Sequence, residues 1–212
     1  MCGRYYIDQE DDIAEMRKIL DVISQRFRDA ARQTVLQTGE IRPTNQVPVL
    51  RVETVEETAD QSPFIRPDLM TWGCQHPANK RVVINARSET AAEKPMFRQS
   101  FQTARVLVPA TAFFEWDKQS PPVQGKRQKY KITVPEQPLF YMAGLSRYEV
   151  STSAWHFVIL TTPASASLAV LHDRQPLILP RNWLRSWMLS PDAARKMLDY
   201  IWHEPFALSA EA

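Results

Sequence analysis

The stretch Arg105-Val-Leu-Val-Pro-Ala-Thr-Ala-Phe-Phe-Glu-Trp116 holds two apolar runs, residues 105–109 and 112–116, with too few residues between them for a crossover helix. Val, Leu, Phe and Trp suit a pleated, half-buried surface, so both runs read as strands. The same texture repeats outward from them. Residues 70–73, 81–85, 130–134, 139–144 and 155–162 are short, rich in Val, Ile, Phe and Tyr, and bounded by turn residues. Strands this closely spaced predict an α+β fold with a curved, mostly antiparallel sheet or barrel-like core. An N-terminal helix and C-terminal helices flank it. Ile13, Met16, Leu20, Ile23 and Phe27 fall at three- and four-residue spacing, one apolar helix face. Asp8, Asp11, Asp12 and Glu15 crowd its start, and Arg26 and Arg28 its end, as the helix dipole favours. Near the C-terminus, Ser190-Pro191-Asp192 reads as a cap and first turn, with Leu198 and Ile201 continuing a buried face.

Other segments interrupt this pattern. Residues 40–50 carry Pro43 and Pro48 and read as extended edge strand, not as a central one. Residues 53–67 are acidic, aperiodic and end in prolines, which predicts a loop or hairpin tip. Residues 118–129 form a basic hairpin loop, read as solvated in preference to phosphate-binding. Sixteen prolines against five glycines imply many fixed turns.

Length and composition narrow the options. With 212 residues, 44% hydrophobic and 24% charged, one domain over residues 1–212 is expected. No apolar run approaches the roughly 20 residues of a membrane span. The net charge of +2 is too small to argue nucleic-acid binding from the global field, so any such site is local. The acidic N-terminal stretch lacks an export signal, and two cysteines give no disulfide framework. A reducing, cytoplasmic setting with free thiols is expected.

Four polar islands stand beside the strand candidates: Asn85-Ala86-Arg87-Ser88-Glu89-Thr90, Phe113-Phe114-Glu115-Trp116, Thr161-Thr162 and Leu171-His172-Asp173-Arg174. Two readings of Glu115 stand open. Its aromatic neighbours would desolvate the carboxyl and raise its pKa, suiting it to proton transfer, whereas strand alternation alone turns it to solvent. His172 is either an acid–base group beside Asp173 or a packed histidine. Cys74-Gln75-His76 lacks two further ligands at zinc spacing, so Cys74 reads as a packed thiol and no metal is expected. Five glycines build no phosphate loop or dinucleotide fingerprint, so no cofactor is expected.

The N-terminus offers different chemistry. Removal of Met1 would leave Cys2 with an α-amine (reference pKa about 8) and a thiol (about 8.5) on adjacent carbons. This 1,2-aminothiol condenses with an aldehyde to an imine, on which the thiol closes to give a thiazolidine. With Met1 retained, the amine is an amide and the reaction is blocked.

Taken in order, Met1-Cys2-Gly3-Arg4-Tyr5, residues 42–49, Trp72-Gly73, residues 85–90 and 94–98, Leu107-Val108-Pro109-Ala110 with Phe114-Glu115-Trp116, Ala143-Gly144-Leu145, and residues 159–162 with His172-Asp173-Arg174 resemble the blocks of the SOS response-associated peptidase (SRAP) family. The resemblance covers most of the chain. It implies a protein of the DNA damage response that binds single-stranded DNA and links covalently to abasic sites through Cys2, with possible lyase chemistry at the imine. It further implies that Asn85 hydrogen-bonds the opened sugar or the reacting groups and that Glu115 and His172 move protons during imine formation and ring closure. Arg4, Arg87 and Arg174 would hold phosphates, Pro43 and Trp72 would stack on bases, and Thr161 would line the DNA path. A monomer, cytoplasmic and nucleoid-associated when on DNA, is expected. The chain departs from the family pattern at Gln175, at Phe113-Phe114, and at Cys74-Gln75-His76-Pro77, where the surroundings of Trp72 differ. Two alternatives remain at this level: a cysteine peptidase that processes its own N-terminus at Cys2, and a noncatalytic nucleic-acid-binding module.

Overall fold

A computed structural model describes residues 2–8, 14–27, 37–53, 63–79, 81–122 and 124–211. The chain runs β1 (Arg4–Ile7), α1 (Ala14–Arg26), β2 (Gly39–Ile41), β3 (Gln46–Glu53), β4 (Phe64–Trp72), β5 (Cys74–Gln75), β6 (Val82–Val83) and β7 (Asn85–Arg87). Next come α2 (Ser88–Ala91), α3 (Arg98–Thr103), β8 (Arg105–Ala110), β9 (Ala112–Trp116), β10 (Lys129–Thr133), β11 (Phe140–Glu149) and β12 (Ala154–Pro163). The rest is α4 (Ala166–Ala169), β13 (Arg174–Pro176), a 3₁₀ turn (Arg181–Trp183), α5 (Leu184–Leu189), α6 (Pro191–Met197) and β14 (Ala207–Glu211).

The chain changes sheets inside the stretch 105–116. β8 belongs to a larger sheet in which β11, β8, β3, β4 and β12 pair in that order and β11 pairs again with β12. Five strands thereby close into a barrel, which leaves those strands no free edge within the ring. β9 belongs to a second, open sheet with the order β14-β10-β9-β1-β2. The corner between the two is Thr111. Its N–H and hydroxyl both donate to the Tyr6 carbonyl, at 2.9 and 3.1 Å, and its Oγ1 accepts from the Asp8 N–H at 3.1 Å. At Gly144, a Cβ would lie 2.9 Å from both Val106 Cγ2 and the Val158 carbonyl oxygen, so only glycine lets β11 fit between β8 and β12 there. Most pairings are antiparallel, but β12 runs parallel to β4 and to β7. The curved, barrel-like α+β architecture expected from the sequence is the one observed.

The core joins both sheets. Phe113 meets Phe140 and Phe206 edge-on at 6.3 and 5.5 Å, in the geometry aromatic quadrupoles favour. α1 covers the barrel through Met16, Ile19 and Ile23, while Glu15 accepts from the Tyr141 hydroxyl at 2.6 Å and pairs with Arg181 at 2.7 Å. Asp11, Asp12, Ile13 and Arg28 lie outside the described residues. Ser190 caps α6 by accepting from the Ala193 N–H at 3.2 Å, with Pro191 in the first turn.

Three expectations are corrected. β3 is interior, not an edge: it pairs with β4 along its whole length and with β8 at Leu50 and Arg51. Pro48 is tolerated because it lies before that doubly paired stretch. The loop expected over 53–67 is shorter at its far end, because Phe64–Pro67 already belongs to β4 and Pro67 opposes Leu50; residues 54–62 lie outside the described residues. At the C-terminus, α6 ends at Met197, before Ile201, and is followed by β14, which pairs with β10. Of the described residues, no helix is long and apolar enough to cross a membrane.

Candidate active site

Four separated segments deliver Cys2, Asn85, Glu115 and His172 to one place. β1 pairs antiparallel with β9, Arg4 opposite Phe114, which carries Cys2 alongside the end of β9 and Glu115. β7 pairs in parallel with β12, Asn85 opposite Ile159, and so presents Asn85 at the start of a short strand. Asn85 Nδ2 donates to the Cys2 carbonyl at 2.8 Å. Its Oδ1 makes no hydrogen bond among the described residues, which leaves an acceptor beside Cys2. His172 follows α4, and its backbone N–H donates to the Leu168 carbonyl at 3.1 Å.

Burial sets the electrostatics. Cys2 is fully buried; its Sγ donates weakly to the Arg4 carbonyl at 3.4 Å. Desolvation, with the Glu115 carboxylate second, pushes the thiol far above its usual range, so it is held as a neutral thiol. Glu115 is 2% exposed, which resolves its two sequence readings: the carboxyl is inside, not on a solvent face. Burial raises its pKa, while the N-terminal amine, and after it Lys118, pull it back down. His172, also 2% exposed, places Nε2 3.9 Å from Glu115 Oε2. Burial, reinforced by the N-terminal charge and then by Lys118, lowers the His172 pKa to about 4, so the ring is neutral at pH 7. Its Nδ1 lies 2.9 Å from the Arg174 N–H and 2.8 Å from Asp173 Oδ1. The site therefore holds a thiol, a carboxyl biased toward protonation and a neutral imidazole, a set able to donate and accept protons near neutral pH.

Sequence reasoning missed Lys118, whose Nζ lies 2.5 Å from His172 Nε2. Its backbone N–H donates to the Leu171 carbonyl at 3.3 Å, and this link between β9 and the His172 loop leaves no trace in strand periodicity. Tyr5, fully buried, was missed as well; its hydroxyl makes no hydrogen bond among the described residues.

The expected DNA contacts divide by accessibility. Arg87 is exposed at the end of β7. Arg4 is half-buried, ion-paired with Glu40, and 5.8 Å from the Trp116 ring. Lys129 and Arg42 converge on the same Glu40 carboxylate. Arg174 is buried and bonds Glu89 and the Thr161 carbonyl, and Thr161 is itself fully buried. Pro43 is half-buried in the turn 42–45, where Thr44 adopts φ +73° and its N–H donates to the Trp72 carbonyl at 2.8 Å. The expectation that Trp72 stacks on a base needs correction, because its ring is 0% exposed. Nε1 donates to the Ile84 carbonyl at 3.0 Å, and Tyr5 packs on the ring edge-on at 5.2 Å. Trp72 thus braces the segment leading into Asn85.

A family model described as SOS response associated peptidase (SRAP) matches residues 1–209. The chain is 31% identical over 192 residues to the abasic site processing protein YedK of Escherichia coli, covering 89% of this chain and 79% of that one. It is 29% identical over 213 residues to the abasic site processing protein YoqW of Bacillus subtilis, covering 93% and 86%. A crystal structure of a protein from Bacteroides thetaiotaomicron shares the fold, with a TM-score of 0.73 at 18% identity over 99% of this chain and 91% of that one.

Proposed function

The chain belongs to the SOS response-associated peptidase (SRAP) family, and from that premise we propose that it binds single-stranded DNA and captures abasic sites covalently through Cys2. Its curated relatives are abasic site processing proteins, which supports DNA carrying such sites as the substrate. The observation that carries the chemistry is the convergence of the Cys2 thiol, the Asn85 amide, a desolvated Glu115 and a neutral His172.

Once Met1 is removed, the Cys2 amine attacks the aldehyde carbon of the ring-opened sugar. The carbinolamine loses its hydroxyl as water, and Glu115, biased toward its protonated form, supplies the proton for that departure. The Cys2 thiol then adds across the C=N bond. Its proton passes to the Glu115 carboxylate left by the first step, and the nitrogen, which keeps its N–H through the iminium, ends as a neutral secondary amine. The balance is one C–N and one C–S bond formed and one water released. Neutral His172 accepts and returns protons beside Glu115, while Asn85 holds the Cys2 carbonyl and offers Oδ1 to a sugar hydroxyl. Exposed Arg87 and half-buried Arg4 supply positive charge toward phosphates, while Arg174, buried on Glu89 and the Thr161 carbonyl, holds those segments in place. Ring closure consumes the imine that would otherwise β-eliminate, so the strand is capped in place of being cut.

A thiolate peptidase is the weaker reading, because burial and the nearby carboxylate disfavour the thiolate that a cysteine nucleophile needs. The test is a denaturing gel of purified protein mixed with a single-stranded abasic oligonucleotide. Wild type is expected to give a heat- and denaturant-resistant adduct; Cys2→Ala is expected to bind the strand but lose that adduct. An equally stable adduct with Cys2→Ala overturns the assignment.

A further inference from the structure

Asn85 opens onto a chain of surface depressions that leads away from the reacting residues. The first is lined by Arg81, Ile84 and Asn85 and shares His76 with a second, which in turn shares Pro77, Arg147 and Tyr148 with a groove of about 520 Å³ at Trp155. The barrel explains the direction: Asn85 pairs with Ile159, and β12 runs back four residues to Trp155, about 13 Å at roughly 3.3 Å per residue.

The groove has the chemistry of a base-stacking platform. Tyr148 is 50% exposed and meets the half-buried Trp155 edge-on at 5.8 Å. The Arg51 guanidinium lies 4.4 Å from the Trp155 ring centroid. Among the described residues the groove's polar contributors are Gln99, Ser100, Thr103, Ser146 and Arg147 and include no carboxylate, while Glu149 lines the depression that joins it to His76. Arg147 is fixed rather than floppy, since it bonds Glu149 at 2.8 Å and also the Gln75 carbonyl. Aromatic faces flanked by guanidinium groups and neutral hydrogen-bonding side chains bind unpaired nucleotides with little sequence preference.

The geometry points to a second nucleotide subsite at Tyr148 and Trp155, which takes unpaired bases of the same strand several nucleotides away from the residue held at Asn85. This rests on the proposed function for the identity of the strand. It assigns the apolar side chains at the β11–β12 end to DNA and not to a protein partner.

Fluorescence anisotropy with labelled single-stranded oligonucleotides tests it, using an intact central nucleotide and flanks shorter than about 4 or longer than about 8 nucleotides on either side. Trp155→Ala and Tyr148→Ala are expected to weaken binding of the long strand by about tenfold to a hundredfold and that of the short strand little; Trp155→Phe is expected to restore most of the loss. Thermal melting of each variant separates this from misfolding. Equal affinity of wild type and Tyr148→Ala for the long strand, with the fold intact, overturns the subsite, as does binding of a proline-rich peptide at Trp155 in its place. Adduct formation with a short abasic strand is read separately. Its absence in wild type contradicts the proposed function, while the length dependence still decides the subsite.

Discussion

Among the described residues, two places hold a cysteine, a glutamate and a histidine, and the chemistry proposed above belongs to one of them. Glu149 Oε2 lies 3.8 Å from His156 Nε2, almost the spacing of Glu115 and His172, and Cys74 stands nearby as Cys2 does in the other cluster. All six side chains are buried. The difference lies in their partners. Glu149 accepts from the Gln75 N–H at 2.8 Å and from the Arg147 guanidinium at 2.8 and 3.2 Å, while His156 bonds the Gly73 carbonyl at 2.7 Å and the Thr152 hydroxyl at 2.8 Å. That trio pins β5 to the end of the barrel. At Glu115 the cations are the N-terminal amine and a lysine that faces the histidine, the carboxyl is pushed toward its protonated form, and the cysteine is second in the chain. Residue types alone do not make a reactive site; proton affinities set by burial and partners do.

The comparison breaks most visibly at the cysteines. Cys2→Ala is expected to abolish the stable adduct and Cys74→Ala to leave it intact on the same denaturing gel. The glutamates come next, with opposite effects. Glu115→Gln is expected to slow adduct formation about 10²–10⁴-fold, read from single-turnover time courses. Its stability effect has a definite sign. An acid whose pKa is higher folded than unfolded destabilises the native state as pH rises through that window, so Glu115→Gln is expected to melt at or above wild type at pH 8. Glu149→Gln breaks a buried ion pair and is expected to lose about 1–3 kcal/mol of stability while sparing the chemistry.

The histidine gives a third, smaller effect. His172 folds with a pKa of about 4 against an ordinary 6.5, so the unfolded chain binds the extra proton first as pH falls. Stability from this group is present above about pH 6.5 and is lost progressively down to about pH 4; His172→Gln is expected to melt with a shallower slope across that window. Lys118→Met is subtler still. Removing the nearby charge is expected to raise the His172 pKa and move the acid limb of the rate profile to higher pH. An unmoved limb would remove Lys118 from the account.

How much of this was legible in the sequence depends on how local the cause is. The run 105–116 disclosed strands and their close spacing, yet not that Thr111 turns the chain from one sheet into another, because its bonds go to Tyr6 and Asp8 a hundred residues away. Pro48 argued for an edge, but whether a strand is doubly paired depends on β8, which the local composition cannot report. β14 has no apolar alternation and is mostly exposed; backbone pairing with β10 alone makes it a strand. Asn85, Glu115 and His172 were visible as polar islands, while the burial of Glu115 was not, since alternation along one strand is blind to what covers its second face. Trp72 misled for the same reason: an aromatic beside a glycine reads equally as a platform or as core.

The central claim is that the amine and thiol of Cys2 together form the adduct, and intact-mass measurement of the purified protein–DNA conjugate tests it most directly. The expected mass is that of the chain without Met1 plus the abasic oligonucleotide minus one water, with the DNA mapped to the N-terminal peptide. A conjugate that retains Met1, or DNA attached at another residue such as Lys118, would contradict it.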